Sequence, residues 1–192
     1  LRDPNNYFKV SITWSLRSSS KFVVRYSMAG FLFDVSGSSL FPKNEDKLYI
    51  LGLLCSEISN QLLMIQNPTM NYQVENISDL PISFPKDLEK RERIERLVEE
   101  NINIANLDWD DYESSWDFKK TPLLSGESFL ISDNYKEWEK NKEKQFYKMK
   151  SNEEEINKIF IEMFELEKDI NPVVDEKNIT IKATITNNNI LN

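Results

Sequence analysis

Along residues 7–41 apolar and polar positions alternate in short runs. Phe8-Lys9-Val10-Ser11-Ile12-Thr13-Trp14 is followed by Lys21-Phe22-Val23-Val24-Arg25-Tyr26 and then by Gly30-Phe31-Leu32-Phe33-Asp34-Val35. A period of two puts successive side chains on opposite faces of a strand, and β-branched and aromatic residues suit a pleated, half-buried surface. Ser18-Ser19-Ser20, Ala29-Gly30 and Ser36-Gly37 punctuate the runs, so the pattern predicts three strands with short connections in a small twisted sheet. The spacing then changes. Between residues 47 and 66 the apolar positions Leu48, Ile50, Leu51, Leu54, Ile58, Leu62 and Ile65 are crowded as in a buried helix. Asn44 and Asp46 offer caps at its start, and Asn67-Pro68 ends it, because the residue before a proline is pushed out of the helical region.

Residues 69–85 carry spaced apolar positions at Tyr72, Val74 and Ile77 and a Leu80-Pro81-Ile82 step, which predicts an edge strand. In residues 86–106, Leu88, Ile94, Leu97, Val98, Ile102 and Ile104 recur by threes and fours among charges, the spacing of an amphipathic helix. Residues 107–131 are irregular and aromatic (Trp109, Tyr112, Trp116, Phe118, Phe129), and predict an extended arm lying across other elements. A helix is expected from Ser132, and Ser151 with Glu154 forms a capping box ahead of Ile156, Ile159, Phe160, Met163 and Phe164. Past Pro172, Ile179-Thr180-Ile181 reads as a strand, and the polar residues 186–192 as disordered or artificial. The fold class is therefore α+β: a small mixed-sheet domain with a packed helix over residues 1–85, then a mainly helical acidic segment with an aromatic arm and a flexible tail over 86–192.

Composition narrows the chemistry. The 192 residues include no histidine, so the commonest general base and transition-metal ligand are both missing. Four separated glycines (Gly30, Gly37, Gly52, Gly126) cannot assemble a phosphate-cradling or dinucleotide loop, and no cofactor is expected in this segment. Cys55, the single cysteine, reads as a small buried hydrophobe and fits a reducing, cytoplasmic setting. No apolar run reaches the length of a membrane span, so no membrane partner is expected. Leu1 stands where an initiator Met would, and the chain reads as a piece of a longer protein.

The net charge of -8 argues at first against nucleic acid, whose phosphates attract basic proteins. Its distribution reverses that judgement. Residues 1–84 hold seven basic and seven acidic groups of the chain's 24 and 32, leaving 17 and 25 to the remainder. Within residues 1–42, Arg2, Lys9, Arg17, Lys21 and Arg25 face only Asp3 and Asp34. In Trp14-Ser15-Leu16-Arg17-Ser18-Ser19-Ser20-Lys21 a loop of small hydroxyl residues is flanked by cations and can approach phosphates and base edges closely. The plain alternative is a polar hairpin turn. The candidate DNA contacts are Trp14, Arg17, Ser19, Ser20, Lys21 and Arg25, with Lys21 and Arg25 as phosphate anchors and Arg17 and the serines as base or phosphate contacts.

Two further motifs carry less. Asn67-Pro68-Thr69-Met70 shares two of four positions with the loop by which amino-methyltransferases hold a flipped base; without the second proline and the aromatic it reads as a helix-ending turn. The cluster Asp108, Asp110, Asp111 and Glu113 has carboxylates but no ligand spacing for a metal, and reads as loop charge.

Taken in order, several segments resemble the PglX type of BREX phage-defence adenine-specific DNA methyltransferases. They are Ile12-Thr13-Trp14-Ser15, Gly30-Phe31-Leu32-Phe33-Asp34-Val35-Ser36-Gly37, Asn67-Pro68-Thr69-Met70-Asn71-Tyr72-Gln73-Val74, Asp79-Leu80-Pro81-Ile82, Asp108-Trp109-Asp110, Glu113-Ser114-Ser115-Trp116-Asp117-Phe118 and Asn152-Glu153-Glu154-Glu155-Ile156-Asn157-Lys158-Ile159-Phe160-Ile161. The resemblance runs over residues 7–182 and falls on the target-recognition region and the helical segment after it. It implies a parent enzyme that methylates adenine at N6 with S-adenosylmethionine, its catalytic motifs lying upstream. The implied partners are double-stranded DNA, the methyltransferase domain of the same protein and other defence-system proteins. The Asn-Pro-Thr and Leu-Pro-Ile steps before a helix also resemble type I restriction specificity subunits. A protein-docking module is the second expectation, motivated by the acidic second half and its aromatic arm.

Overall fold

A computed structural model describes residues 4–18, 21–69, 71–126 and 128–181. Three strands form one antiparallel sheet in the order β2-β1-β3: β1 (Ser11–Ser15), β2 (Val24–Ser27) and β3 (Gly37–Leu40). Five helices follow: α1 (Lys47–Cys55), α2 (Glu57–Gln66), α3 (Val74–Ser78), α4 (Leu88–Asp110) and α5 (Ile131–Met163). This is an α+β arrangement followed by a mainly helical part. The chain forms two compact units, Leu1–Glu99 with Glu154–Val173, and Glu100–Glu153 with Val174–Asn192. α4 and α5 each contribute residues to both units.

In the first unit the sheet has one apolar face. Ile12 and Trp14 of β1, with Val24 of β2, are buried, and α1 packs on β2. The α1 sequence is largely apolar, and Tyr49, Ile50, Leu51, Leu53 and Leu54 are all buried, whereas Cys55, expected to be buried, is exposed at the end of the helix. Gly52 lets that helix approach α4: a Cβ there would stand 2.9 Å from a Val98 methyl and 3.1 Å from one of Ile94. Phe160 of α5 is fully buried against the Tyr49 ring.

The single helix expected over 47–66 is broken. At Ser56 the backbone is extended (φ -73°, ψ 159°), and the hydroxyls of Ser56 and Ser59 both donate to the Leu53 carbonyl at 2.6 Å. The Glu57 amide, freed at the start of α2, donates to Asn157 Oδ1 at 2.8 Å. Serine hydroxyls competing for the backbone supply the break.

Three strand expectations also change. Residues 30–35 form a loop, and the third strand lies later in the sequence. Gly30 adopts φ 106°, its amide donates to the Phe8 carbonyl, and Asp34 Oδ1 accepts the amides of Ser36 and Gly37, a turn that launches β3. The edge strand expected in 69–85 is instead the short helix α3, opened by Asn76 Oδ1 accepting the Gln73 amide at 3.0 Å. Ile179 and Ile181 are in no strand. They pack with Ile104, Phe146, Met149 and Val174 into a small core of the second unit. The tail at 186–192 lies outside the described residues.

α4 runs four residues past its expected end, absorbing the start of the arm, and turns and a short 3-10 stretch (Pro122–Leu124) replace the extended arm. α5 passes through Ser151 without the break that the capping-box pattern suggested. The neighbouring Asn152 is buried, and its amide donates to Glu100 Oε2 and Asn101 Oδ1, both at 2.9 Å, so a polar side chain serves the helix interior there.

Tyr49 gives a pH prediction. Its hydroxyl donates to the Ser83 carbonyl, its ring stacks on Phe84, and burial pushes its pKa up from 10.0 to about 12, with the nearby Arg91 cation opposing. Between those values the unfolded phenol has lost its proton while the folded one keeps it, so stability falls as pH rises through that interval. Urea titrations across it are expected to show a decline that Tyr49→Phe makes shallower; equal slopes for both proteins would refute the assignment.

Candidate nucleic-acid interface

Alternation along Ser11–Ser15 divides the sheet chemically. Residue pairs Thr13↔Arg25, Thr13↔Ser39, Ser11↔Ser27 and Ser15↔Gly37 lie on the face opposite Ile12 and Trp14. That face consists of small hydroxyl side chains around one arginine. Arg25 is exposed, and its guanidinium donates to Ser15 Oγ at 3.3 Å. The sequence pattern contained this face as the polar half of each strand, yet hydroxyl residues such as Thr13 and Ser39 do not stand out until their strands are paired.

The predicted contacts fall in different places. Trp14 is 2% exposed: its indole N–H donates to the Tyr72 carbonyl at 2.9 Å, and its ring packs near Phe22, which in turn meets Tyr72. Lys21 is exposed and paired with Glu57 Oε2 at 2.6 Å. An exposed pair of this kind contributes at most about 1 kcal/mol, so a phosphate can compete for the lysine. Ser18 Oγ donates to the Lys21 carbonyl at 2.9 Å. Ser19 and Ser20 lie outside the described residues. Arg17 and Arg25 are exposed two residues beyond β1 and on β2 respectively.

Arg17 belongs to a feature the sequence did not reveal. It pairs across an isolated antiparallel bridge with Asn71, and the Tyr72 amide donates to the Leu16 carbonyl at 2.7 Å. The segment after α2 is thereby tied to the end of β1. Asn67 folds that segment: its Nδ2 donates to the Asn71 carbonyl at 2.6 Å and to Asn76 Oδ1 at 3.1 Å, while its Oδ1 accepts from the Thr69 amide and hydroxyl. Asn67-Pro68-Thr69 is thus a helix-ending turn with a second use. Arg17, Ser18, Thr69 and Asn71 line an open depression.

In the second unit, the acidic cluster is engaged internally. Lys142, 3% exposed, places its ammonium 2.7 Å from Asp108 Oδ1 and 2.7 Å from Asp111 Oδ2, over the rings of Tyr112 and Trp138. Burial pushes its pKa down, but the hydrogen bonds and charges of the two aspartates outweigh burial and hold it above the ordinary value. Asp110 Oδ1 accepts the Ser115 hydroxyl at 2.6 Å. Elsewhere in this unit Trp109, Trp116, Leu124, Phe129 and Leu130 are exposed, Trp116 at 89%. Among the described residues no single helix is long and apolar enough to cross a membrane.

No family profile matches the chain. Its relatives among known proteins are nonetheless specific, and they place it as a portion of a BREX-type adenine-specific methyltransferase. It is 31% identical over 181 residues to the adenine-specific methyltransferase PglX of Lacticaseibacillus casei (strain Zhang), a match covering 91% of this chain and 15% of that protein. It is 30% identical over 179 residues to the adenine-specific methyltransferase BrxX of Escherichia coli O9:H4 (strain HS), covering 92% of this chain and 13% of that one. The chain therefore spans a small part of the length of both relatives, and the similarity runs through both of its compact units.

Proposed function

We propose that this chain is the DNA target-recognition portion of an adenine-N6 methyltransferase of a phage-defence or restriction-modification system, without the catalytic domain. S-adenosylmethionine is then bound elsewhere in the parent enzyme. The observation that supports this reading is the hydroxyl-rich sheet face that bears Arg25, within residues 1–42, where five basic groups, Arg17 and Lys21 among them, face two acidic ones. Arginine and lysine anchor phosphates, and small hydroxyl residues allow close approach of the duplex. If about four cations neutralise phosphates, log affinity falls with log salt with a slope of roughly -3.6, about a hundredfold loss between 50 and 200 mM. Titrating the chain into fluorescent mixed-sequence duplex at several salt concentrations is expected to give such a slope. Lys21→Ala with Arg25→Ala should make it shallower by roughly two phosphates' worth. Unchanged affinity in that double variant would remove both residues from the interface.

A second reading is a module that docks other defence-system subunits. It is favoured by the exposed aromatic residues Trp109, Trp116 and Phe129 of the second unit, a surface rarely left open without a partner. The same titration separates the two: a chain that binds no duplex even at low salt points to docking, because an aromatic-anchored protein interface does not depend on phosphate.

A further inference from the structure

The depression at the end of β1 is chemically unlike the rest of the proposed interface. It is lined by Arg17, Ser18, Thr69 and Asn71, of which Ser18 and Thr69 have their hydroxyls hydrogen-bonded to Lys21 and Asn67. The carboxamide is the informative group. Asn71 is held through its backbone, which bridges to Arg17 and accepts from Asn67. Its side-chain Oδ1 is buried and has no hydrogen-bond partner among the described residues. A buried amide oxygen without a donor is unfavourable, and it is relieved when a donor arrives. Rotation about the terminal torsion of an asparagine is soft, so the amide can swing into the depression without moving the backbone that positions it. The Asn67 turn fixes that backbone in advance, which reduces the ordering that binding requires.

We propose that this depression reads one adenine in duplex DNA: Asn71 Oδ1 accepts the exocyclic N6 amino hydrogen and Nδ2 donates to N7, while Arg17 holds the phosphate of a neighbouring nucleotide. The pairing follows from donor and acceptor patterns in the major groove. An amide presents one acceptor beside one donor, and among the four bases adenine offers their complement there. Thr69 and Ser18 keep the walls small enough for a base edge to enter. The assignment rests on the recognition reading above and deepens it, since it names what one element of the surface discriminates.

The test begins by selecting preferred duplexes from a random library with the unaltered chain. The adenine in question is then replaced by unsubstituted purine, which lacks the N6 amino group, and affinities are compared by anisotropy. For the unaltered chain the replacement is expected to weaken binding about tenfold or more. For Asn71→Ala the two duplexes should bind alike, with the salt slope unchanged because no phosphate contact is lost. Arg17→Ala should weaken all duplexes equally and reduce the slope by about one. Asn71 Oδ1 has no hydrogen-bond partner among the described residues, so Asn71→Ala should melt close to the unaltered chain, and its binding can be read directly. If Asn71→Ala keeps every adenine preference of the unaltered chain while both bind in a salt-sensitive manner, the assignment is overturned and the recognition reading stands. Absence of duplex binding by the unaltered chain at low salt overturns the recognition reading and this assignment together.

Discussion

Replacing Trp14 by alanine is expected to lower folding stability by about 3–5 kcal/mol, the cost of emptying a large aromatic site in a close-packed core. The side chain is 2% exposed, and its indole N–H is spent on the Tyr72 carbonyl. Its neighbours Phe22 and Tyr72 come from separate stretches of sequence, so the cavity would sit where β1, the approach to β2 and the segment after α2 converge. Trp14→Phe keeps most of the volume and loses the donor; about 1–2 kcal/mol is expected there. Urea unfolding of the three proteins measures both. A loss under about 1 kcal/mol for the alanine variant would mean that Trp14 is not the keystone its burial indicates. The same experiment bears on DNA: any binding defect of Trp14→Ala must first be corrected for the fraction unfolded, whereas defects at Arg17, Lys21 or Arg25, all exposed, need no such correction.

Lys142→Ala is the second large effect, about 3 kcal/mol of stability lost from the helical unit. Removing one partner of a buried ion pair leaves uncompensated charge, and the loss is typically about 3–5 kcal/mol. The low end applies because the side chains of Asp108 and Asp111 keep 19% and 28% exposure and can regain some water. The ring contacts to Tyr112 and Trp138 disappear as well. Combining Lys142→Met with Asp108→Asn and Asp111→Asn should recover much of the loss, since the carboxylates no longer face an empty site. Thermal melts of the single and triple variants decide it: equal melting points for Lys142→Ala and the unaltered chain would show that the network contributes no net stability. The pH sign is fixed by the raised pKa. The contribution is complete below the ordinary lysine value of 10.5 and is lost as pH rises through the folded one.

Much of the fold was legible because it depends on patterns local to the chain. The two-residue period in Ser11–Ser15 and the three-and-four spacing in Leu88–Asp110 report burial directly, and both elements formed where expected within a few residues. The failures share a cause. Phe31-Leu32-Phe33 resembles a buried strand in composition, but Phe31 and Leu32 are exposed in a loop, because Gly30 and Asp34 dictate turns around them. The break at Ser56 is made by hydroxyls reaching back to Leu53, and the helix after it is met by Asn157, a hundred residues away. No window of sequence contains that partner. The candidate interface divides in the same way. Arg17, Lys21 and Arg25 were recognisable from charge. Trp14 has the composition of a stacking residue and the position of a core residue, and only strand pairing distinguishes the two. Asn71 stood outside every charged motif and meets Arg17 through a bridge spanning 54 positions of the chain.

The turn after α2 separates two duties. Its shape is maintained by Asn67, Asn76 and the indole of Trp14, whose hydrogen bonds end on backbone atoms, on each other or on the Thr69 hydroxyl. Its open side is lined by Arg17 and Asn71, and Asn71 Oδ1 takes no part in the hydrogen bonds that shape the turn. Substitutions at those two positions are therefore expected to leave the scaffold intact, and on the proposed recognition reading a lineage could move from one sequence preference to another without passing through an unfolded ancestor.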